Sequence, residues 1–318
     1  MKSQKIVLAG GSGFLGRTLA AWFAEKGFEC VVLSRFKNSC PHARIITWDG
    51  KTCAPWKHEI EGAKAVINLA GRSVNCRYHA RNRQLIMDSR IDSTRVIGEA
   101  IRACTEPPEI WLNSSTATIY RHTFGAPHDE NGEIGATPEA KDAFSIEVAK
   151  AWEETFQNQD VSTNTRKMLL RTAMVMGKQS GGVFPVLKRL TRLGLGGRMS
   201  HGRQFVSWIH AADFCSAIAW LIENPEPAGI FNLAAPNPLP NAEMMRILRE
   251  ETGTSFGFPA PAWLLEIGAF FLRTETELVI KSRRVIPARL HANGFDFQFP
   301  DFRSAVRDLL HHQPTVDL

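Results

Sequence analysis

Residues 5–16 read Lys5-Ile6-Val7-Leu8-Ala9-Gly10-Gly11-Ser12-Gly13-Phe14-Leu15-Gly16. The opening K-I-V-L-A is an apolar run of strand length, the pattern of a parallel strand covered on both faces. A glycine-rich turn follows, with Gly10, Gly13 and Gly16 spaced G-x-x-G-x-x-G. Leu15, Leu19, Trp22 and Phe23 then recur at helical spacing, and Gly27 stands where a C-terminal cap belongs. The order is strand, turn, helix. Any tight strand-to-helix connection can use glycine for its backbone freedom. In this setting, however, the glycines also let a pyrophosphate approach the backbone N–H groups at the helix N-terminus.

Working outward, short apolar strands are expected at 30–33, 45–48, 65–69, 110–113, 168–170 and 229–233, with helices at 89–103 and 140–156. Alternation of this kind builds βαβ units and a parallel sheet. Past Arg171 the rhythm weakens into glycine turns (Gly181-Gly182, Gly194 to Gly197) and proline-rich connections between Pro225 and Pro240. Helical patterns return at 243–252, 263–272 and 302–310. The expected architecture is α/β: a doubly wound parallel sheet over residues 1–235 and a smaller, mainly helical C-terminal lobe over 236–318. Residues 178–205 are expected to contribute to that lobe.

Composition excludes several classes. With 318 residues, 44% hydrophobic and 22% charged, the chain is neither disordered nor a small disulfide scaffold. Its net charge of +6 favours a phosphate-bearing partner. A nucleic-acid function would rest on charge alone, because no reader motif is present. Basic groups such as Lys281, Arg283, Arg284 and Arg289 read as solvated surface. Six cysteines lie far apart with no C-x-x-C pair, so neither a metal framework nor a thioredoxin motif is indicated and a reducing, cytoplasmic setting is expected. Glycines interrupt the N-terminal apolar run that a signal peptide would need. The most membrane-like stretch, 263–272, includes Glu266 and is too short for a bilayer core of about 30 Å. A soluble protein without membrane association is expected.

The second strand ends at Leu33-Ser34-Arg35. NAD-selective folds place a carboxylate here to accept from the adenosine ribose. A hydroxyl and a guanidinium instead suit a 2′-phosphate, so the expected cofactor is NADP(H).

These features resemble the short-chain dehydrogenase/reductase superfamily, in its extended, sugar-nucleotide-epimerase-like branch. Asn68-Leu69-Ala70-Gly71 is similar to the segment that lines the cofactor after the fourth strand. Asn113 to Tyr120 resembles the serine-rich fifth strand, and Arg171 to Gly177 and Phe205 to Asp213 continue the likeness. Ser89 to Thr94, the run from Leu193, Trp208-Ile209-His210 and the tail from Arg284 to Phe295 look like an atypical subgroup, the NADP-binding "epimerase family" with its own C-terminal domain. The resemblance implies a Rossmann-type sheet, a small anionic substrate and a homodimer. It implies cofactor contacts from Gly10, Ser12, Gly13, Phe14, Leu15 and Gly16 in the turn. Further contacts would come from Ser34, Arg35, Leu69, Ala70, Gly71 and Val175, with Arg90 reaching the phosphates.

The superfamily's catalytic pair is Tyr-x-x-x-Lys, supported by a Ser or Thr. The chain has two tyrosines, Tyr78 and Tyr120, and the fourth residues after them are Asn82 and Phe124, so the pattern is absent. Its place falls on Phe144 and Val148. Lys150 does not substitute, since six residues turn it about 240° around the helix from Phe144. Thr116 takes the place of the catalytic Ser or Thr, or is a satisfied hydroxyl beside the sheet; Tyr120, four residues further on, falls on the same side but farther from the ring, where packing is the stronger reading; these two are the catalytic candidates. Asp129-Glu130 could supply a base, and Arg198, Arg203 and Gln204 could hold an anionic ligand, whereas His210 and Asp213 read as helix-start residues. The expected function is an NADP(H)-dependent oxidoreductase or nucleotide-sugar-epimerase-like enzyme of unknown substrate. The alternative is a redox-inert NADP(H)-binding regulatory protein.

Overall fold

The computed structural model describes residues 4–36, 40–161, 163–261, 263–264 and 275–311. Its centre is a seven-stranded sheet formed by β1 (Lys5–Ala9), β2 (Glu29–Ser34), β3 (Arg44–Thr47), β4 (Ala65–Asn68), β5 (Ile110–Thr116), β6 (Arg166–Thr172) and, later in the chain, Gly229–Leu233. In space the order is Gly229–Leu233, β6, β5, β4, β1, β2, β3, and every neighbouring pair is parallel. The α/β, doubly wound expectation is met.

The first strand shows why its sequence is continuously apolar. Ile6 and Leu8 enter one core with Leu19, Phe23 and Phe214, while Val7 and Ala9 enter the opposite core with Val96, Ile97 and Trp111. Alternate residues point to opposite faces, and both faces are covered. Helix α1 (Phe14–Glu25) covers the first of these faces, and Gly27 takes the left-handed conformation after its end (φ 82°). Helix α2 (Ala80–Arg102) covers the second face with α3 (Ala143–Gln157).

Helix α2 begins nine residues before the expected Ser89. Its first turn, Ala80-Arg81-Asn82-Arg83-Gln84, is exposed or half-buried and carries no apolar stripe for periodicity to detect. The His79 ring caps it by accepting from the Asn82 N–H.

After β6 the chain leaves the sheet through β7 (Met174–Met176), α4 (Val183–Leu190), β8 (Phe205–Val206) and β9 (Trp208–His210), then returns through α5 (Ala211–Glu223) to the edge strand β10 (Gly229–Leu233). Beyond β11 (Leu239–Pro240), helix α6 (Asn241–Glu251) packs with the last helix, Phe302–His311, in a separate core. Phe184, Trp208, Met245, Leu248, Phe302 and Val306 fill it. The helix expected at 263–272 lies outside the described residues except for Trp263 and Leu264. Among the described residues no helix is long and apolar enough to cross a membrane.

Candidate functional site

Strand β1 lies between β2 and β4, so successive connections diverge from it and leave a crevice beyond the C-terminal ends of β1 and β4. The glycine turn occupies that crevice. Gly10 donates its N–H to Leu33 O at 2.9 Å and Gly11 donates to Leu8 O at 3.2 Å. Gly10 has φ 73°, and a Cβ there would meet Ala70 Cα at 2.6 Å. A Cβ on Gly16 would lie 2.2 Å from Gly11 Cα, so this glycine seats α1 on the turn. Around Gly13 there is open space, its nearest neighbour being Gly10 O at 4.0 Å. Close packing beneath and openness above make a backbone cradle of the kind a pyrophosphate needs. Arg17, unnoticed in the sequence, pins the turn through Ser12 O at 3.0 Å and Ser180 O at 2.9 Å.

A cleft of about 220 Å³ opens over this cradle. Gly10, Ser12 and Gly13 form its floor, Ser34 and Arg35 its edge at the tip of β2, and Ala70 and Gly71 the facing wall. Phe36 and the Trp48–Lys51 segment complete the β2 side, and Arg72, Leu85, Asp88, Ser89 and Ser93 close the α2 side. The exposed Asp49 carboxylate is already engaged by the Lys51 and Thr52 N–H groups at 2.8 and 2.9 Å, which hold it below the usual carboxylate range against a small desolvation cost. Arg72 Nε is buried without a partner, an orphan donor beside the cleft. The exposed Arg35 guanidinium lies over the Phe36 ring. These residues fit a phosphate-rich dinucleotide.

Phe14, Leu15, Gly16, Leu69 and Val175 do not line the cleft. Leu15, Leu69 and Val175 belong to or pack on the core beside α1, and Phe14 packs under Gly177 and Gly182. They shape the cradle from beneath.

A second cavity of about 130 Å³ lies on the other side of Arg90. The Arg90 guanidinium packs over Trp152 at 5.1 Å, and a Cβ on Gly71 would meet it at 3.2 Å. Its Nη1 donates to Arg72 O and Ile86 O at 3.2 and 3.0 Å. Burial brings its pKa down to about 10, against an opposing pull from Tyr78. Arg90 thus lines the second chamber and packs behind Gly71, which lines the first.

Thr116, Phe144 and Val148 all line this second chamber. The helix face that aligns with the Tyr-x-x-x-Lys pattern therefore does face the cavity, and it offers a ring and an isopropyl group. Lys150 is exposed on another face of α3. Thr116 Oγ1 accepts from the Thr118 N–H at 3.1 Å, which leaves its own proton available.

Tyr120, the other catalytic candidate, is corrected by the structure. It is 1% exposed and does not line the chamber. Its hydroxyl donates to Asn232 Oδ1 at 2.8 Å and accepts from Arg171 Nη1 at 3.0 Å, so its hydrogen-bonding capacity is spent in the core. Glu130 is likewise structural, its buried carboxylate accepting from the backbone of Asn232 and Arg289. Arg198 and Arg203 are exposed outside both chambers, and Gln204 is buried with Nε2 on Met199 O. Asp213 accepts from the N–H groups of Gln298 and Phe299, anchoring the tail.

Three contributors had no sequence signal. Tyr78, from the loop before α2, lines the second chamber and packs edge to face on Phe144 at 5.1 Å. Lys281 is not solvated surface: it is 1% exposed, pairs with the buried Asp142 and donates to Thr118 O at 2.6 Å. Burial lowers its pKa to about 8 even beside that carboxylate. Arg283 Nε donates to Thr118 Oγ1 at 3.1 Å. The chain after residue 275 thus braces the wall of the chamber.

Comparison with known proteins agrees with this geometry. The model of the NAD dependent epimerase/dehydratase family matches residues 6–234, and a domain of unknown function (DUF1731) matches 260–309. The epimerase family protein SDR39U1 of Bos taurus is 29% identical over 311 residues, covering 96% of this chain and all of the relative. The epimerase family protein YfhF of Bacillus subtilis is 27% identical over 317 residues, covering 98% of this chain and all of the relative. The crystal structure of human SDR39U1 with NADPH matches with a TM-score of 0.83 at 26% identity, covering 96% of this chain and 99% of that one. Sheet, cradle and family match converge: the chain belongs to the NAD dependent epimerase/dehydratase family, as an NAD(P)-binding protein with a DUF1731 region at its C-terminal end.

Proposed function

We propose that the chain is an NADP(H)-dependent oxidoreductase or nucleotide-sugar-epimerase-like enzyme. The observation that carries the reading is the pairing of the glycine cradle with Arg35 at the tip of β2, in a cleft whose nearby Asp49 carboxylate is already hydrogen-bonded. The diphosphate would lie on the N–H groups of the turn between Gly10 and Gly16, and Arg35 with Ser34 would receive the adenosine 2′-phosphate. Arg90 would meet the phosphates from the side of the second chamber. Bound there, the nicotinamide supplies or accepts a hydride, and Thr116 would position the substrate oxygen beside it. The relative bound to NADPH supports this choice of cofactor.

The test is NADPH oxidation against a panel of carbonyl compounds and nucleotide sugars, with the reverse reaction followed for the corresponding alcohols. Turnover of one class supports the reading; no turnover of any, with the cofactor bound, contradicts it. The side chains of Phe144 and Val148 favour the second reading, a redox-inert protein that reports the oxidation state of NADP(H). Unequal affinity for NADPH and NADP+ together with an altered partner interaction would support that alternative.

A further inference from the structure

We propose that Tyr78 is the proton-transfer residue of this site, a phenol brought in from the loop ahead of α2 to the chamber where α3 offers Phe144. The proposal rests on the reading of the second chamber as the seat of the cofactor's reactive ring.

Its first support is an unmet hydrogen bond. The Tyr78 hydroxyl is buried and has no hydrogen-bond partner. The neighbouring Ser145 hydroxyl gives its proton to the Glu277 carboxylate, so it has none to offer the phenol, although its closeness draws the Tyr78 pKa down. Buried hydroxyls are nearly always paired, so one left over at a cavity wall calls for a group arriving from outside the chain. A substrate oxygen in the chamber is such a group.

The second support is rigidity. The Tyr78 N–H donates to Glu275 Oε1 at 2.7 Å, and its C=O accepts from Arg83 Nε at 2.8 Å. Arg77 pairs with the same Glu275 at 3.6 Å, and the Tyr78 ring lies against Phe144. The phenol is fixed from its backbone and from its ring, as a group that must meet a reacting atom needs to be.

The third support is the surrounding charge. Arg90 from α2 and Arg283 from the C-terminal segment lie within electrostatic reach of the phenol, as do Glu277, Glu275 and Cys76. Burial and Glu277 push its pKa up, so at neutral pH it holds its proton and is a donor. Once the proton leaves, the two guanidiniums oppose the charge that remains. Unlike the lysine beside a catalytic tyrosine, they do not bring the phenol below its ordinary pKa, so its part is that of an acid that starts protonated. Thr116, with its own proton available, lines the same chamber.

In the reductive direction a bound dihydronicotinamide nucleotide supplies the hydride. The carbonyl carbon gains that hydride, the carbonyl oxygen takes the proton of the Tyr78 hydroxyl, and the phenolate recovers a proton from solvent. The products are the alcohol and the oxidised nucleotide.

The chain holds only two tyrosines, which makes the test direct. Protein labelled with carbon-13 at the tyrosine Cζ should give two resonances, and the one missing in Tyr78→Phe belongs to Tyr78. NADP+ is added until calorimetry shows saturation. The Tyr78 resonance should move and that of Tyr120 should stay. Saturation with an unmoved Tyr78 resonance would overturn the proposal, whereas an absence of heat would bring down the cofactor reading and this inference with it. On a carbonyl compound that the native protein reduces, Tyr78→Phe should lower kcat about 100-fold or more while the Kd for NADPH changes less than about two-fold. Unchanged kcat would overturn the proposal as well.

Discussion

Gly10 and Ala70 meet so closely that a Cβ on the glycine would stand 2.6 Å from the alanine Cα. The contact joins the end of β1 to the segment after β4, the two walls of the crevice. Gly10→Ala would combine this overlap with a left-handed backbone that costs an L-residue about 1–2 kcal/mol. We expect NADPH binding weakened by more than about ten-fold and a lowered melting temperature. Calorimetry and thermal unfolding of the variant check both; unchanged affinity would remove the turn from the binding site.

Arg35 stands exposed at the end of β2, where its loss should do little to the fold. Charge-assisted hydrogen bonds contribute about 1.5–3 kcal/mol, so Arg35→Asp should weaken NADPH by roughly 10- to 100-fold. Binding of NADH should change far less. Equal losses for both nucleotides would contradict the assignment of the 2′-phosphate to this residue.

Stability depends on a different part of the sheet. Arg171, 3% exposed, donates to both oxygens of the buried Glu153 at 2.9 and 2.7 Å and also holds Tyr120. Ser115 donates to the same carboxylate at 2.5 Å. Glu153→Gln would leave the guanidinium buried without its counter-charge, a change that typically costs about 3–5 kcal/mol. Urea unfolding should show a loss of that order. A loss below about 1 kcal/mol would mean that solvent reaches the pair.

His210 sets a pH dependence. Its ring caps α5 by accepting from the Ala212 N–H at 3.1 Å and lies against Phe299, and burial lowers its pKa from 6.5 to about 4 despite Asp308 nearby. Between those values the unfolded chain binds the proton more readily than the folded one. Stability from this group is therefore complete above pH 6.5 and falls as pH drops toward 4, by up to about 3 kcal/mol. His210→Asn keeps a capping acceptor and removes the titration. The variant should show a shallower loss of stability over that range, measured by urea unfolding at each pH; a parallel loss would assign the effect elsewhere.

Much of this was legible in the sequence because it depends on local chemistry. A strand covered on both faces must be apolar throughout, and a turn that packs backbone on backbone must be glycine, so residues 5–16 could be read directly. Ser34 and Arg35 follow from their position at the next strand tip. The start of α2 was hidden because its first turn is polar and solvent-facing. Tyr78 and Lys281 were hidden for another reason: each acts at a chamber whose other walls come from distant elements, and no short spacing encodes that meeting. A lysine in a basic run looks solvated until the fold places Asp142 beside it. Tyr120 misled because even spacing along a strand predicts a side but not the Asn232 and Arg171 that consume its hydroxyl.

The most direct measurement is calorimetric titration of the folded protein with NADPH and with NADH. The structure predicts saturable one-to-one binding of NADPH, at least about ten-fold tighter than NADH. No heat with either nucleotide, or tighter binding of NADH, would contradict the recognition of diphosphate and 2′-phosphate by the turn and Arg35.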